Sequence, residues 1–222
     1  MTLESEWLFL GESAALGTAA MFAVVSILFS LAARETSAFA VNLARITLAV
    51  PLLLAFTMLT QSGAWWETLS LNRTLILALS GWIGLTLGDW ALFSSFARLG
   101  PRVPTLMMTL APPITAFLAV PLLGETLGWI QIGGMVVTLA GVVWVVLERA
   151  PVGTKPHADL ALGLSLAFIG ATAQGTGLVL SKMGMAGEVD PLPATLVRMV
   201  AAMIGAWILV IVQRKWGELG SL

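Results

Sequence analysis

The sequence predicts an all-α, polytopic membrane protein. Seven long apolar stretches, cut by short polar breaks, fill almost all of its 222 residues. Each is near the roughly 20 residues that an α-helix needs to cross a bilayer core of about 30 Å. Hydrophobic residues make up 58 % of the chain and charged residues 10 %, against roughly 25 % charged in an average soluble domain.

The first stretch, 8–31, follows the leader MTLESEW, which has Glu4 and Glu6 and no basic residue. It is too long for the apolar region of a secretory signal, so it is expected to stay as a spanning helix. The second, 40–60, is entered through Asn42-Leu-Ala-Arg45, and the third, 74–97, carries Gly81, Gly84 and Gly88 ahead of Asp89. The fourth, 103–123, contains Pro112-Pro113, and the fifth, 128–147, opens after the turn LLGETLG. The sixth, 160–181, holds Gln174, and the seventh, 194–213, begins with Ala194-Thr-Leu-Val-Arg198. Trp7, Trp65, Trp66, Trp129 and Trp216 stand at stretch ends, where an amphipathic ring prefers the headgroup region. Trp82, Trp90 and Trp207 lie deeper; Trp90 adjoins Asp89 and either packs, faces lipid or lines a cavity.

Composition excludes several functions. Cysteine is absent, so disulfides and thiolate metal sites are ruled out. The single His157 stands between Lys155 and Asp159 in a polar break and reads as a solvated loop residue. No G-x-x-x-x-G-K-[ST] motif is present, so energy from bound ATP has no sequence signature here. The net charge of −1 gives no reason to expect nucleic acid. The expected partners are the lipid bilayer and a small-molecule substrate, with no cofactor or metal; self-association is left open.

Arg34, Arg98, Arg102, Arg149, Lys155, Arg214 and Lys215 follow odd-numbered stretches, whereas Arg73 and Lys182 lie on the other side. This asymmetry places the odd-numbered loops in the cytoplasm and the N-terminus outside.

The chain also reads as two related halves, beginning near Gly17 and Gly163. In each, a helix is followed by a break and then by a helix with an early arginine, Arg45 or Arg198. Each second helix ends near a tryptophan-containing polar segment, AWWETL or KWGELG. Five helices precede the second half, and an odd number makes it enter from the opposite face. Inverted halves of this kind build secondary transporters, with the substrate site between them near the midplane. The expected division is a first repeat over 1–148, a connection over 149–159 and the start of a second repeat over 160–222. A full copy of the first half would need three further helices, so the sequence is expected to be a carrier cut short.

The ordered residues Gly88-Asp89, Leu99-Gly100, Ala111-Pro112, Leu123-Gly124-Glu125, Gly133 and Gly141 resemble the EamA-type repeat of the drug/metabolite transporter superfamily. LAPPITAFLAVPLLGETLGWIQIGGMVVTLAGVVWVV is the strongest part, and AQGTGLVLSK with ATLVRMVAA resembles the start of a second repeat. The resemblance covers nearly the whole chain. It implies inverted five-helix repeats, the second stopping after two helices, in a multi-pass carrier of the cell membrane, bacterial cytoplasmic if the source is bacterial. It implies export of small organic metabolites, amino-acid-like or drug-like. It also implies both termini in the cytoplasm, against the arginine and lysine count.

Polar residues inside the spans are the site candidates, because each is expensive there and needs a reason. Asp89 is a protonatable coupling group, a ligand for a cationic substrate group, or a structural partner of a neighbouring helix. Arg45 and Arg198 either snorkel to the headgroups or offer a substrate carboxylate two parallel hydrogen bonds. Gln174 shares a helical stripe with Gly170, Gly177 and Ser181, which serves close helix packing or substrate contact. Asn42 serves helix entry or a cavity. Pro112 and Pro113 remove helix hydrogen bonds to Met108 and Thr109, giving a hinge or a fixed kink. Glu125 lies in the turn between the fourth and fifth stretches, where a carboxylate near the start of helix five meets the positive dipole end; it is expected to be structural and not a substrate ligand. Gly134, Thr138 and Gly141 form a further small face for packing helix five.

A secondary carrier working by alternating access is the leading reading. A non-transporting membrane chain that pairs with another protein is the alternative. A membrane-embedded enzyme acting on lipid-like substrates is a weaker alternative, because one His, no Cys and no Tyr leave little acid–base or metal-binding chemistry. The absence of lysine from the seventh stretch argues against a seven-helix photoreceptor.

Overall fold

The computed structural model describes residues 3–61, 63–149, 157–185 and 189–213. The expectations for Lys155 and for the segment holding Arg214, Lys215 and Trp216 lie outside these residues, as does the side chain of His157. The described residues form seven helical rods, α1 (Leu3–Glu35), α2 (Ala38–Thr60), α3 (Leu71–Leu99), α4 (Arg102–Leu123), α5 (Trp129–Arg149), α6 (His157–Met185) and α7 (Pro191–Gln213), with a short 3-10 turn, Trp65–Thr68, between α2 and α3. Five of them, α2, α3, α4, α6 and α7, are long and apolar enough to cross a membrane. The apolar parts of α1 and α5, Ser13–Phe29 and Trp129–Trp144, are shorter. The protein is an all-α polytopic membrane protein.

Local chemistry sets the ends. Ser37 and Ser70 cap α2 and α3 by accepting from the amides of Ala40 and Arg73, which satisfies donors that a helix start leaves free. Gly124, at φ +67°, closes α4 in the left-handed conformation that glycine adopts without penalty. The chain then stays non-helical to Gly128. Glu125 therefore lies in the α4–α5 turn, as the sequence places it, ahead of the first residue of α5. It pairs with Lys182 near the end of α6. The α7 helix starts at Pro191, three residues before the apolar stretch, because proline is tolerated in a first turn.

Two of the rods are not regular. Within α3, residues Trp82–Gly88 form a π-helical segment, which sequence periodicity does not reveal. Within α4, Met108–Leu110 form a 3-10 turn just before Pro112 and Pro113, so the prolines mark a real break in the α-helical ladder.

The α6 helix is central, packing along α3 and α4, while α7 packs on α3 and α2. Without a hydrophobic drive between helices in lipid, close contact and hydrogen bonds must hold the bundle. Glycines supply the contact. A Cβ on Gly177 would stand 2.9 Å from the Cα of Gly84, and one on Gly170 would stand 3.2 Å from the carbonyl oxygen of Gly88. Three α3 hydroxyls supply the bonds: Ser80 Oγ donates to the Gly177 carbonyl at 2.6 Å, Ser95 Oγ to Gly163 at 2.7 Å, and Thr86 Oγ1 to Ala202 at 3.1 Å. Thus the Gly170/Gln174/Gly177/Ser181 stripe is a packing face against α3. The expected face on α5 behaves otherwise: nothing lies within 4 Å of a Cβ placed on Gly134 or Gly141. Gly134 and Thr138 line a cleft between α4 and α5 instead, with Pro112, Pro113 and Glu125.

Candidate functional site

The π-helical segment delivers Asp89 to the region where α2, α3, α6 and α7 meet. Asp89 is 7 % exposed. A lone carboxylate there would cost several kcal/mol, and Asp89 is not alone. Arg45 of α2 donates to Asp89 Oδ2 from Nη2 in an ion pair. The same Nη2 donates to Asn42 Oδ1, one turn earlier on α2, at 3.0 Å. Asn42 Nδ2 in turn donates to the Leu85 carbonyl at 3.3 Å. That carbonyl belongs to the π-helical segment, where the wider turn disturbs the usual i→i+4 pairing and admits a side-chain donor. Asn42 thereby ties the arginine of one helix to the backbone that carries the aspartate.

Aromatic rings flank the pair. The Arg45 guanidinium carbon lies 5.8 Å from the ring centroids of both Phe29 and Phe93, within cation–π range. Phe29 and Phe93 themselves meet edge to face at 5.3 Å. Phe93 follows Asp89 by four residues and so shares its helix face. Ile46, next to Arg45 in the chain, packs with Leu85 and Ala202 in an apolar cluster with Met199 and Met203. Asp89 is the more enclosed partner, at 11 % side-chain exposure, while Arg45 keeps 28 % of its side chain accessible, so water screens the pair in part.

Arg198 of α7 has a different environment. Its charge reaches Asp89, yet it makes no salt bridge among the described residues. Its Nε is buried without a hydrogen-bond partner, and so is Gln174 Oε1 on α6. Both side chains border Gly84: a Cβ there would stand 3.6 Å from Gln174 Oε1 and 3.7 Å from Arg198 Nη2. Gly81, one turn earlier, lies flush against the Arg198 backbone carbonyl. Two positive charges and one negative charge thus share one buried region.

Five of the residues singled out in the sequence, Asn42, Arg45, Asp89, Gln174 and Arg198, come together here from four helices. Trp90 does not join them; it is 38 % exposed, as expected for the residue one step around the helix from a buried Asp89. Pro112 and Pro113 lie on α4 by the α4–α5 cleft. Phe29, Phe93 and the hydroxyls of Ser80, Thr86 and Ser95 carry no signal that distinguishes them in the sequence from other apolar or small residues. The four-residue spacing of Phe93 from Asp89 is the one cue that a helical reading could have used.

A cavity of about 800 Å³ opens between α1 and α2, lined by Leu28, Phe29, Val41, Leu48 and Leu52, with Arg45 in its wall. Among the described residues, no cluster of three or more His, Asp or Glu side chains could hold a metal ion.

The model of the EamA-like transporter family matches residues 9–147. No curated protein and no solved structure is matched.

Proposed function

Because this chain belongs to the EamA-like transporter family, and is thereby a multi-pass membrane transporter of the drug/metabolite kind, we propose that it exports small organic metabolites by alternating access. Family membership also points away from an enzyme. The observation that carries the finer reading is the ion pair between Asp89 and Arg45, which joins two membrane-spanning helices well inside the bundle. Such a pair is an uncertain source of stability, so its position at the junction of four helices favours a working role.

In this reading the second half inverts the first, so that Arg45 and Arg198 are counterparts on either side of Asp89. Substrate binds between the halves near the midplane, as in other inverted-repeat carriers. Asp89 couples transport to protons. A proton and the Arg45 guanidinium compete for one carboxylate, so protonation releases Arg45 and frees α2 from α3. The cavity between α1 and α2 gives the apolar part of a substrate a place beside that arginine.

The test is efflux from proteoliposomes under an imposed pH gradient. The wild-type chain is expected to move substrate faster with the gradient than without it, and Asp89→Asn to lose that difference while still inserting. An undiminished gradient response in Asp89→Asn would remove Asp89 as the coupling group. A wild-type chain that moves nothing would leave the reading of a non-transporting partner of another membrane protein.

A further inference from the structure

The Leu85 carbonyl has lost the donor that a regular helix would give it. In an α-helix the amide of residue i+4 serves the carbonyl of residue i, so the amide of Asp89 would belong to Leu85. Here it donates to the Thr86 carbonyl instead. A backbone carbonyl at membrane depth has no bulk water to turn to and needs a partner within the protein. Leu85 finds one on another helix: Asn42 Nδ2 of α2, at 3.3 Å. The other end of the same amide, Oδ1, accepts from Arg45 Nη2 at 3.0 Å, and that nitrogen also donates to Asp89. The two partners fix which way the amide points, since a guanidinium can only donate and a carbonyl can only accept. Asn42 is 2 % exposed, so both bonds are shielded from solvent.

We infer that Asn42 is a positioning residue for the Asp89 carboxylate, joining the ion pair and the winding of α3 into one unit. The path is closed: Asp89 to Arg45, Arg45 to Asn42, Asn42 to Leu85, and Leu85 back along α3 to Asp89. The side chain at this point must accept at one atom and donate at another. Neither an ionised carboxylate nor an apolar group can do both. When Asp89 takes a proton and Arg45 lets go, the guanidinium that fixes Asn42 Oδ1 is free to move. The α2 helix can then leave α3 only if Asn42 also releases the Leu85 carbonyl. The amide next in line to serve that carbonyl is that of Asp89 itself. The ion pair, the α2–α3 contact and the winding of α3 therefore change together. Arg198 of α7 is the other charged group whose field reaches Asp89; it makes no salt bridge among the described residues and lies outside this path.

The proton step rests on the carrier reading, but the first test needs no transport. The chain has two asparagines, Asn42 and Asn72, and Asn72 is exposed. Labelling asparagine with 15N in the full chain in micelles therefore shows two side-chain NH2 groups, with Asn72 as the internal reference. Asn42 bonds to Arg45 and Leu85, not to Asp89, so a response to Asp89 must travel along the path. Asp89→Asn and Arg45→Met are each expected to shift the Asn42 resonances and to speed their exchange with solvent about tenfold, the equivalent of one hydrogen bond. Asn72 should not move. Ser80→Ala, which removes a bond between α3 and α6, should leave both groups as they are. Asn42 resonances that ignore Asp89→Asn and Arg45→Met, or that respond as strongly to Ser80→Ala, would overturn the inference. Should one of the pair variants fail to fold, the other decides. Should both fail, the wild-type chain in bilayers, with 13C at its leucine carbonyls, decides: dipolar transfer from Asn42 Nδ2 to one leucine carbonyl is expected, and its absence rejects the link. In proteoliposomes, Asn42→Leu should lose the gradient-driven part of efflux about tenfold, and Asn42→Gln, which keeps both groups on a longer stem, should retain more of it. Equal loss in the two would assign Asn42 to packing alone and reject the inference. An undiminished gradient response in Asn42→Leu would reject it too, while keeping the carrier reading. Linked NMR responses in a chain that moves no substrate would do the reverse.

Discussion

Gly81 of α3 and Arg198 of α7 are in backbone contact: the glycine faces the arginine's own carbonyl oxygen, with no space for a β-carbon between them. The arginine's backbone is thus fixed by α3 while its side chain stands beside Gly84.

A methyl group at residue 81 must therefore push α7 away from α3. Gly81→Ala is expected to destabilise the bundle by about 1–3 kcal/mol, the usual range for overpacking. Gly133→Ala, with nothing within 4 Å of its added carbon, is the matched control and should be near neutral. Thermal unfolding in detergent compares the two. Equal transition temperatures would mean that α7 yields freely at this contact.

The Arg45–Asp89 pair should behave as a coupled unit. Removing one partner leaves an uncompensated charge, and with Arg45 28 % exposed the cost should fall below the roughly 3–5 kcal/mol of a fully buried pair. Asp89→Asn and Arg45→Met are each expected to destabilise, whereas the double substitution should recover much of the loss. A double-mutant cycle by denaturant titration measures the coupling. Additive effects would show that the two side chains do not depend on each other.

The sequence made the membrane architecture legible because lipid demands long apolar runs and closes off other choices. It also singled out the five candidate-site residues that meet in the bundle, for a related reason: a polar side chain inside such a run stands out. It did not reveal how those residues pair. Arg45 and Arg198 occupy similar places in sequence, yet their environments differ because Asp89 has to share one helix face with Phe93 and lies toward α2. The π-helical segment was hidden as well, since Trp82–Gly88 reads as an ordinary apolar helix with small residues. The turn that holds Glu125 was legible, but its partner Lys182 was not, because the two lie 57 residues apart in the chain.

The serine hydroxyls on α3 should each contribute modestly. Ser80→Ala and Ser95→Ala remove buried donors to Gly177 and Gly163 and are expected to cost about 1 kcal/mol each, in line with interhelical hydrogen bonds in membranes. They act on different ends of the α3–α6 contact, so their effects should add. Steric trapping or thermal unfolding in detergent reads both. A neutral result for either would mean that the carbonyl it serves finds another donor.

The absence of native cysteine makes the Glu125–Lys182 contact easy to probe. The pair is largely exposed and should add little to stability, about 0–1 kcal/mol. Replacing both residues with cysteine in the otherwise cysteine-free chain should allow a disulfide between the α4–α5 link and the end of α6. If the two parts separate during transport, oxidation should stop efflux and reduction should restore it. Undiminished efflux from a fully cross-linked sample would show that this end of the bundle stays shut throughout the cycle.

The π-helical segment gives α3 a stored rotation. A π-helix holds more residues per turn than an α-helix, so α3 carries slack that an ordinary helix of the same span would lack. Passing one residue out of that segment would turn everything beyond it by about 100°, the angle each residue occupies on an α-helix. Asp89 is the first residue beyond it. A small change in winding could therefore swing the carboxylate away from α2 while the far end of α3 kept its depth in the membrane. The helix would act as a crank with its handle at Asp89, turning without sliding.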